Sequence, residues 1–353
     1  MTIKTYRCFE IWDYSDNSLL QFVEDILTNE YDRIIIYAQN EWDWTHRFKM
    51  MEEYSFADII SKLQEKNKQV DVIVTGRTIN KSIVYPGFNV YEWDNWFYIQ
   101  VVLQSHLVQS AKLESYKAML FKHDFSYNYV SLNHRAHNHR CMLIDLLAKH
   151  SLIERGAITW HEYYHGGQCN YDWEFFNPRI MALSNNFDDK WQNPPNEYHD
   201  SFIQLISEST LLSIISSEKT VMPIIHFKPF IVAGPKDFYK VMDELGFKRY
   251  TELFDYAFDD ETNDKIRTEM VVKNIKKNAY LTAKEMVELH FELGPKLLYN
   301  FNNMLKIALD FDNWHPLAKE CVDHYKQTGE MLNKNVIGAY MNLSASGIKS
   351  KYE

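Results

Sequence analysis

The residues best equipped for chemistry lie between Phe202 and Gly234, in FIQLISESTLLSIISSEKTVMPIIHFKPFIVAG. An apolar run ends in a polar turn, Ser207-Glu208-Ser209-Thr210, and a second polar cluster, Ser216-Ser217-Glu218-Lys219-Thr220, opens the next helix. The unpaired backbone N–H groups at a helix start, together with the positive end of its dipole, favour an anion such as a phosphate. Lys219 adds a mobile cation, and Glu218 adds a carboxylate suited to the two vicinal hydroxyls of a ribose. Serine followed by glutamate in the first turn is equally the pattern of an ordinary N-cap, so a structural reading stays open here.

A second polar segment, Ser131-Leu132-Asn133-His134-Arg135-Ala136-His137-Asn138-His139-Arg140, also falls between a strand candidate and a helix candidate. Its two arginines carry planar forks that match phosphate oxygens, so Arg135 and Arg140 are candidates for a pyrophosphate, with a salt-bridged helix position as the alternative for either. His134, His137 and His139 have ligand spacing, but no carboxylate or cysteine stands beside them, so no metal site is expected. A third segment, Gln39 to Arg47, follows the apolar run IIIYA. Its Glu41, Asp43 and His46 are the candidates for a general base that takes the proton of an acceptor hydroxyl, with Trp42 and Trp44 as stacking surfaces. An acidic turn between two tryptophan anchors is the bland alternative.

These segments need a scaffold, and the hydrophobic pattern supplies one. Short apolar runs alternate with stretches whose apolar residues recur at three and four, which predicts α/β architecture with parallel sheets. Strands are expected at 32–39, 70–75, 88–91, 127–132, 157–160, 202–207 and 229–233, and helices at 138–150, 218–227 and 235–245. Residues 163–199 read as a long irregular loop. From about 264 onward the chain reads as helical, with amphipathic stretches at 282–293 and 296–309 on either side of Gly294-Pro295. The expected division is an N-terminal Rossmann-like domain over 1–124, a second over 125–265 and a helical C-terminal extension over 266–353.

The string SES…SSEKT…P…PFIVAG resembles the nucleotide-sugar-binding signature of GT-B glycosyltransferases of the fucosyltransferase-like and exostosin-like kind. Leu245-Gly246-Phe247 and the run Phe254 to Asp260 resemble segments of glycosyltransferases from bacteriophages and large DNA viruses, and Asn133, Arg135, His139 and Arg140 resemble an Asn, Arg, His-Arg run of the same family. The resemblance implies two Rossmann-like domains facing a cleft. It implies Glu218 on the ribose, Lys219 with Arg135 or Arg140 on the diphosphate, and Glu208 near the sugar or ribose, with Ser217 and Thr220 in the same turn. Ser209 stands where the fucosyltransferase-like pattern has asparagine.

The expected function is therefore transfer of a sugar from a nucleotide-diphosphate donor, with no separate cofactor, to an acceptor hydroxyl. Hydroxymethylated pyrimidine in phage DNA is one acceptor, and a surface glycan or a protein is another; a non-catalytic nucleotide- or glycan-binding module is the rival. With 38 Lys and Arg against 48 Asp and Glu, the net charge of −10 gives no global attraction to nucleic acid, so DNA would need a local basic groove. The 46% hydrophobic content excludes a disordered chain. Cys8, Cys141, Cys169 and Cys321 are widely spaced and read as reduced thiols. No stretch has the length or apolarity of a membrane span, and the first residues lack the apolar core of a signal peptide. A cytoplasmic protein without an obligate protein partner is the expectation.

Overall fold

The structure is a computed structural model. It describes residues 3–7, 21, 24–25, 28–38, 61, 69–75, 77–78, 88–93, 113–122, 124–133, 136–160, 163–164, 167–168, 171–177, 179–184, 194–208, 211, 213–214, 217–309 and 316–329. The chain divides into two compact units, one formed by Met1–Trp96 with Leu212–Ile215, the other by Phe97–Leu211 with Ser216–Glu353.

The first unit holds a sheet of four parallel strands in the order β1 (Ile3–Arg7), β2 (Arg33–Ala38), β3 (Gln69–Thr75) and β5 (Asn89–Trp93). β1 escaped the sequence reading because IKTYR mixes lysine and arginine with apolar residues, as an edge strand does. Near the amino ends of its neighbours, Asp71 is almost fully buried and takes hydrogen bonds from Asn89 (2.9 Å) and Gln69 (3.1 Å) and an ion pair from Arg33. Burial opposes its charge, but these donors win and hold the carboxyl below its usual range. Between β3 and β5, β4 (Arg77–Thr78) pairs antiparallel with a strand from much later in the chain.

In the second unit, a short helix α1 (Leu113–Lys117) and a 3₁₀ turn lead to β6 (Tyr127–Leu132), α2 (Asn138–Lys149) and β7 (Gly156–Thr159). The stretch expected to be irregular contains a small hairpin, β8 (Tyr163–Tyr164) with β9 (Gly167–Gln168), and a single turn α3 (Asn196–His199). Then come β10 (Ser201–Ser207), α4 (Glu218–Ile225), β12 (Phe230–Ala233) and α5 (Phe238–Glu244); between β10 and α4 in sequence lies β11 (Ser213–Ile214), the partner of β4, which belongs to the first unit. The sheet is parallel throughout, in the order β12-β10-β6-β7. β10 and β12 are buried at every position, as strands covered on both faces must be. Right-handed crossovers place α2 and α4 on opposite faces, because β6 continues towards β7 on one side and β10 towards β12 on the other.

The helices expected as a C-terminal extension lie in the second unit: α6 (Asp264–Asn278), α7 (Ala283–Leu309) and α8 (Pro316–Thr328). α6 packs on α2 and β12, and α7 packs on α4. Asn263 caps α6 through the N–H groups of Lys265 and Ile266 (3.0 and 3.1 Å), and Thr282 with Glu285 forms a capping box at α7. The two amphipathic stretches on either side of Gly294-Pro295 form one helix, α7, which runs through that pair. Pro295 removes one donor, and the carbonyl it would have served belongs to Phe291, which is 70% exposed and open to water.

A tight contact explains one glycine and a positive φ another. A Cβ on Gly156 would lie 2.4–2.7 Å from the ring of Tyr129, which is fully buried and fixed by its hydroxyl on the Leu152 carbonyl (2.8 Å). Gly246 has φ +83° and closes α5 with the paired bonds Phe247 N–H to Met242 and Gly246 N–H to Asp243 that define a Schellman motif.

Candidate functional site

Open parallel sheets bind ligands beyond the carboxyl ends of their strands, at the point where the strand order reverses. In the second unit that point lies between β6 and β10, the strands that end at Leu132 and Ser207. Their register pairs Gln204 with Val130, and that of β6 with β7 pairs Leu132 with Thr159. Continued three residues along the first pair and one along the second, these registers put Ser207, Asn133 and Trp160 in one row across three neighbouring strands. All three are buried, at 3%, 0% and 1% exposure, and in each a side-chain polar atom has no hydrogen-bond partner among the described residues: Ser207 Oγ, Asn133 Oδ1 and Trp160 Nε1. Unpaired buried polar atoms each cost about 1–3 kcal/mol, so three in a row at the switch point mark a place built for something polar.

Glu208, the next residue, ties both flanking helices to this row. Its carboxylate, 2% exposed, accepts the hydroxyls of Ser217 (3.0 Å) and Thr220 (2.8 Å) from the start of α4. Its backbone carbonyl accepts His139 Nε2–H (2.8 Å) and a weaker contact from Arg140 Nη2 (3.4 Å), both from the first turn of α2. Burial raises the Glu208 carboxyl above its usual range, and the Lys219 charge and the two hydroxyls only partly offset this. Burial also lowers His139 to about 4, with the neighbouring Arg140 charge adding to the effect, so the ring is neutral near neutral pH. Because Nε2 donates to the carbonyl, Nδ1 is left as an acceptor.

α4 starts at the N-cap Ser217, whose Oγ accepts the Lys219 N–H (3.3 Å), and Gln204 of β10 donates to the Lys219 carbonyl (3.4 Å). Lys219 Nζ reaches Glu218 Oε1 (3.0 Å) and Ser217 Oγ (3.3 Å). Burial works against the Glu218 charge, but the Lys219 ammonium and its hydrogen bond hold the carboxyl below its usual range. Glu218 and Lys219 keep 27% and 23% of their side chains exposed, so they are the charged groups of this cluster that a ligand can reach.

Of the residues singled out from the sequence, Arg140, Glu208, Ser217, Glu218, Lys219 and Thr220 thus converge around the end of β10. Arg140 is buried against the Glu208 carbonyl, and the Glu208 carboxylate is enclosed by hydroxyls, so both hold the cluster in place. Arg135, Glu41, Asp43 and His46 lie outside the described residues. His137 and His139 stack at 5.5 Å, and among the described residues no group of three or more His, Cys, Asp or Glu side chains could hold a metal ion.

Nothing in the residue pattern marks Trp160 and Ser207 as polar groups in one row, because only the strand register brings them beside Asn133. Arg267 was also unmarked; it is buried on α6 and donates to the Gly234 carbonyl (2.9 Å) at the end of β12. The Phe254–Asp260 run has a scaffolding part: Asp259 accepts the N–H groups of Tyr239 (3.0 Å) and Lys240 (3.2 Å) and so caps α5.

The fold and this cluster define an α/β protein with parallel sheets and a polar site at a strand-order switch point. No family model, curated protein or solved structure matches the chain. Among the described residues no helix is long and apolar enough to cross a membrane.

Proposed function

We propose that the chain is a glycosyltransferase of the GT-B kind, moving a sugar from a nucleotide-diphosphate donor to an acceptor hydroxyl. The observation that carries this reading is the part-exposed Glu218–Lys219 pair at the N-terminus of α4, beyond the end of β10 at the switch point. Glu218 suits the ribose hydroxyls, and Lys219 with the first turn of α4 suits the diphosphate.

In the reaction the bond from the anomeric carbon to the diphosphate oxygen breaks, and a bond from that carbon to the acceptor oxygen forms. The electron pair leaves with the diphosphate, whose added charge Lys219 and the helix dipole offset. The acceptor proton goes to a base, for which Asp43, Glu41 and His46 remain the candidates. Hydroxymethylated pyrimidine in DNA is one acceptor compatible with this scheme, as is a glycan or protein hydroxyl.

Isothermal titration with uridine, guanosine and cytidine diphosphates, paired with a donor-hydrolysis assay, tests the reading. One nucleotide binds, and Lys219→Ala or Glu218→Ala weakens it by about tenfold or more, the loss of a charge-assisted contact. Binding to none of the three, or equal affinity in both variants, refutes the site. Binding without turnover, unchanged in Asp43→Ala, identifies a nucleotide-binding module in place of an enzyme.

A further inference from the structure

Between α2 and the loop that follows the β8–β9 hairpin lies a cleft of about 340 Å³. One wall is α2, with Met142, Asp145 and Lys149; the other is the loop Tyr171 to Phe175, with Lys265 of α6 at its rim. The size falls within the range of small-molecule sites.

The loop wall is held rigidly. Asp145, 4% exposed, accepts the backbone N–H groups of Phe175 (2.8 Å), Phe176 (2.7 Å) and Glu174 (3.3 Å), so one buried carboxylate fixes three successive residues. Trp173 packs edge-on against Trp160 (5.4 Å) and Tyr171 (5.0 Å) and at a tilt against Phe176 (5.3 Å). Two aromatic residues of this wall are thereby set in place before any ligand arrives, and Phe175 stays 45% exposed.

Charge narrows the occupant. With Asp145 engaged by the loop, the remaining charges are Asp172 and Glu174 against Lys149 and Lys265. Lys149 Nζ stands 5.6 Å from the Phe175 ring centre, on the face an aromatic cage would offer to a cationic ligand. An anion would meet the two carboxylates. Aromatic surface beside hydrogen-bonding groups of both signs fits a neutral ligand with an apolar face and a rim of hydroxyls.

We infer that the cleft between α2 and the Tyr171–Phe175 loop binds a neutral carbohydrate, its ring against the aromatic side chains and its hydroxyls on Asp172, Glu174 and Lys265. The inference rests on the cleft and not on the Lys219 site.

Saturation-transfer NMR and isothermal titration of the full chain with maltotriose, cellotriose and chitotriose, alongside choline and inorganic phosphate, provide the test. At least one trisaccharide binds at millimolar concentration or below. Glu174→Gln, a change at an exposed side chain, weakens it about tenfold, and Trp173→Ala abolishes it, with folding checked by circular dichroism. Lys219→Ala leaves saccharide binding unchanged, which separates this site from the nucleotide site. No trisaccharide binding, preference for choline or phosphate, or affinity unchanged in Glu174→Gln overturns the inference; should Trp173→Ala fail to fold, Glu174→Gln decides alone.

Discussion

Glu208 is the joint on which the candidate site hangs, and its replacement by alanine and by glutamine separates shape from charge. Alanine leaves the hydroxyls of Ser217 and Thr220, both fully buried, without their acceptor, along with the volume of the lost side chain. Two stranded hydroxyls at about 1–3 kcal/mol each, less the desolvation that the carboxylate no longer suffers, give a net loss of about 3 kcal/mol. Glutamine keeps the shape and one acceptor oxygen, and because burial already disfavours the charge, it costs about 1 kcal/mol or less. The sign with pH follows from the raised carboxyl: the folded state takes up a proton before the unfolded chain does. The stability of the wild type relative to Glu208→Gln therefore grows as pH falls into the carboxylate range and shrinks as pH rises above it. Urea unfolding followed by circular dichroism gives the energies, and amide hydrogen exchange in α4 shows whether its first turn has come loose. An alanine variant within about 1 kcal/mol of the wild type, with α4 exchange unchanged, would refute the reasoning.

Two further outcomes bear on the same unit. Gly156→Ala drives a methyl into the Tyr129 ring and costs about 3 kcal/mol in urea unfolding, while adding Tyr129→Leu recovers part of that loss; strictly additive losses would mean the ring is not the obstacle. His290 is 3% exposed, donates Nε2–H to the Phe227 carbonyl (2.8 Å) and is lowered by burial from 6.5 to about 4, so its contribution is present above 6.5 and lost as pH falls towards 4. It withdraws about 2 kcal/mol by about pH 5, and His290→Gln flattens that part of the acid-unfolding curve; an identical slope in the variant counts against a neutral His290.

The parts of the fold legible in the sequence were those whose burial is uniform. β12 (FIVA) is a continuous apolar run and β10 (SFIQLIS) is apolar but for Gln204 between its end serines, because a strand between two covered faces has no solvent side to mark with charged residues. The start of α4 was legible for the same local reason: a serine cap and its first-turn neighbours announce themselves within four residues. β1 and the unbroken α7 were not, since an edge strand tolerates charge and a proline tolerates a helix when the carbonyl it strands faces water. The row of Asn133, Ser207 and Trp160 depends wholly on register, a property of three strands at once, and the capping role of Asp259 depends on a bend that brings it back to α5.

The membership of Leu212–Ile215 in the first unit has a consequence for how the chain is made and cut. Glu208 and Ser217 belong to the second unit, yet the chain between them passes through the first, where β11 pairs with β4. No single scission parts the two units: a fragment beginning at Phe97 carries the β10–α4 connection but leaves β11 without its partner, and a fragment ending at Trp96 leaves β4 waiting. During synthesis the first unit stays incomplete until residues past 214 have emerged, a long-range closure of the kind that slows folding. The connection that presents Ser217 and Glu208 to each other is thus also the last piece of the other unit to arrive.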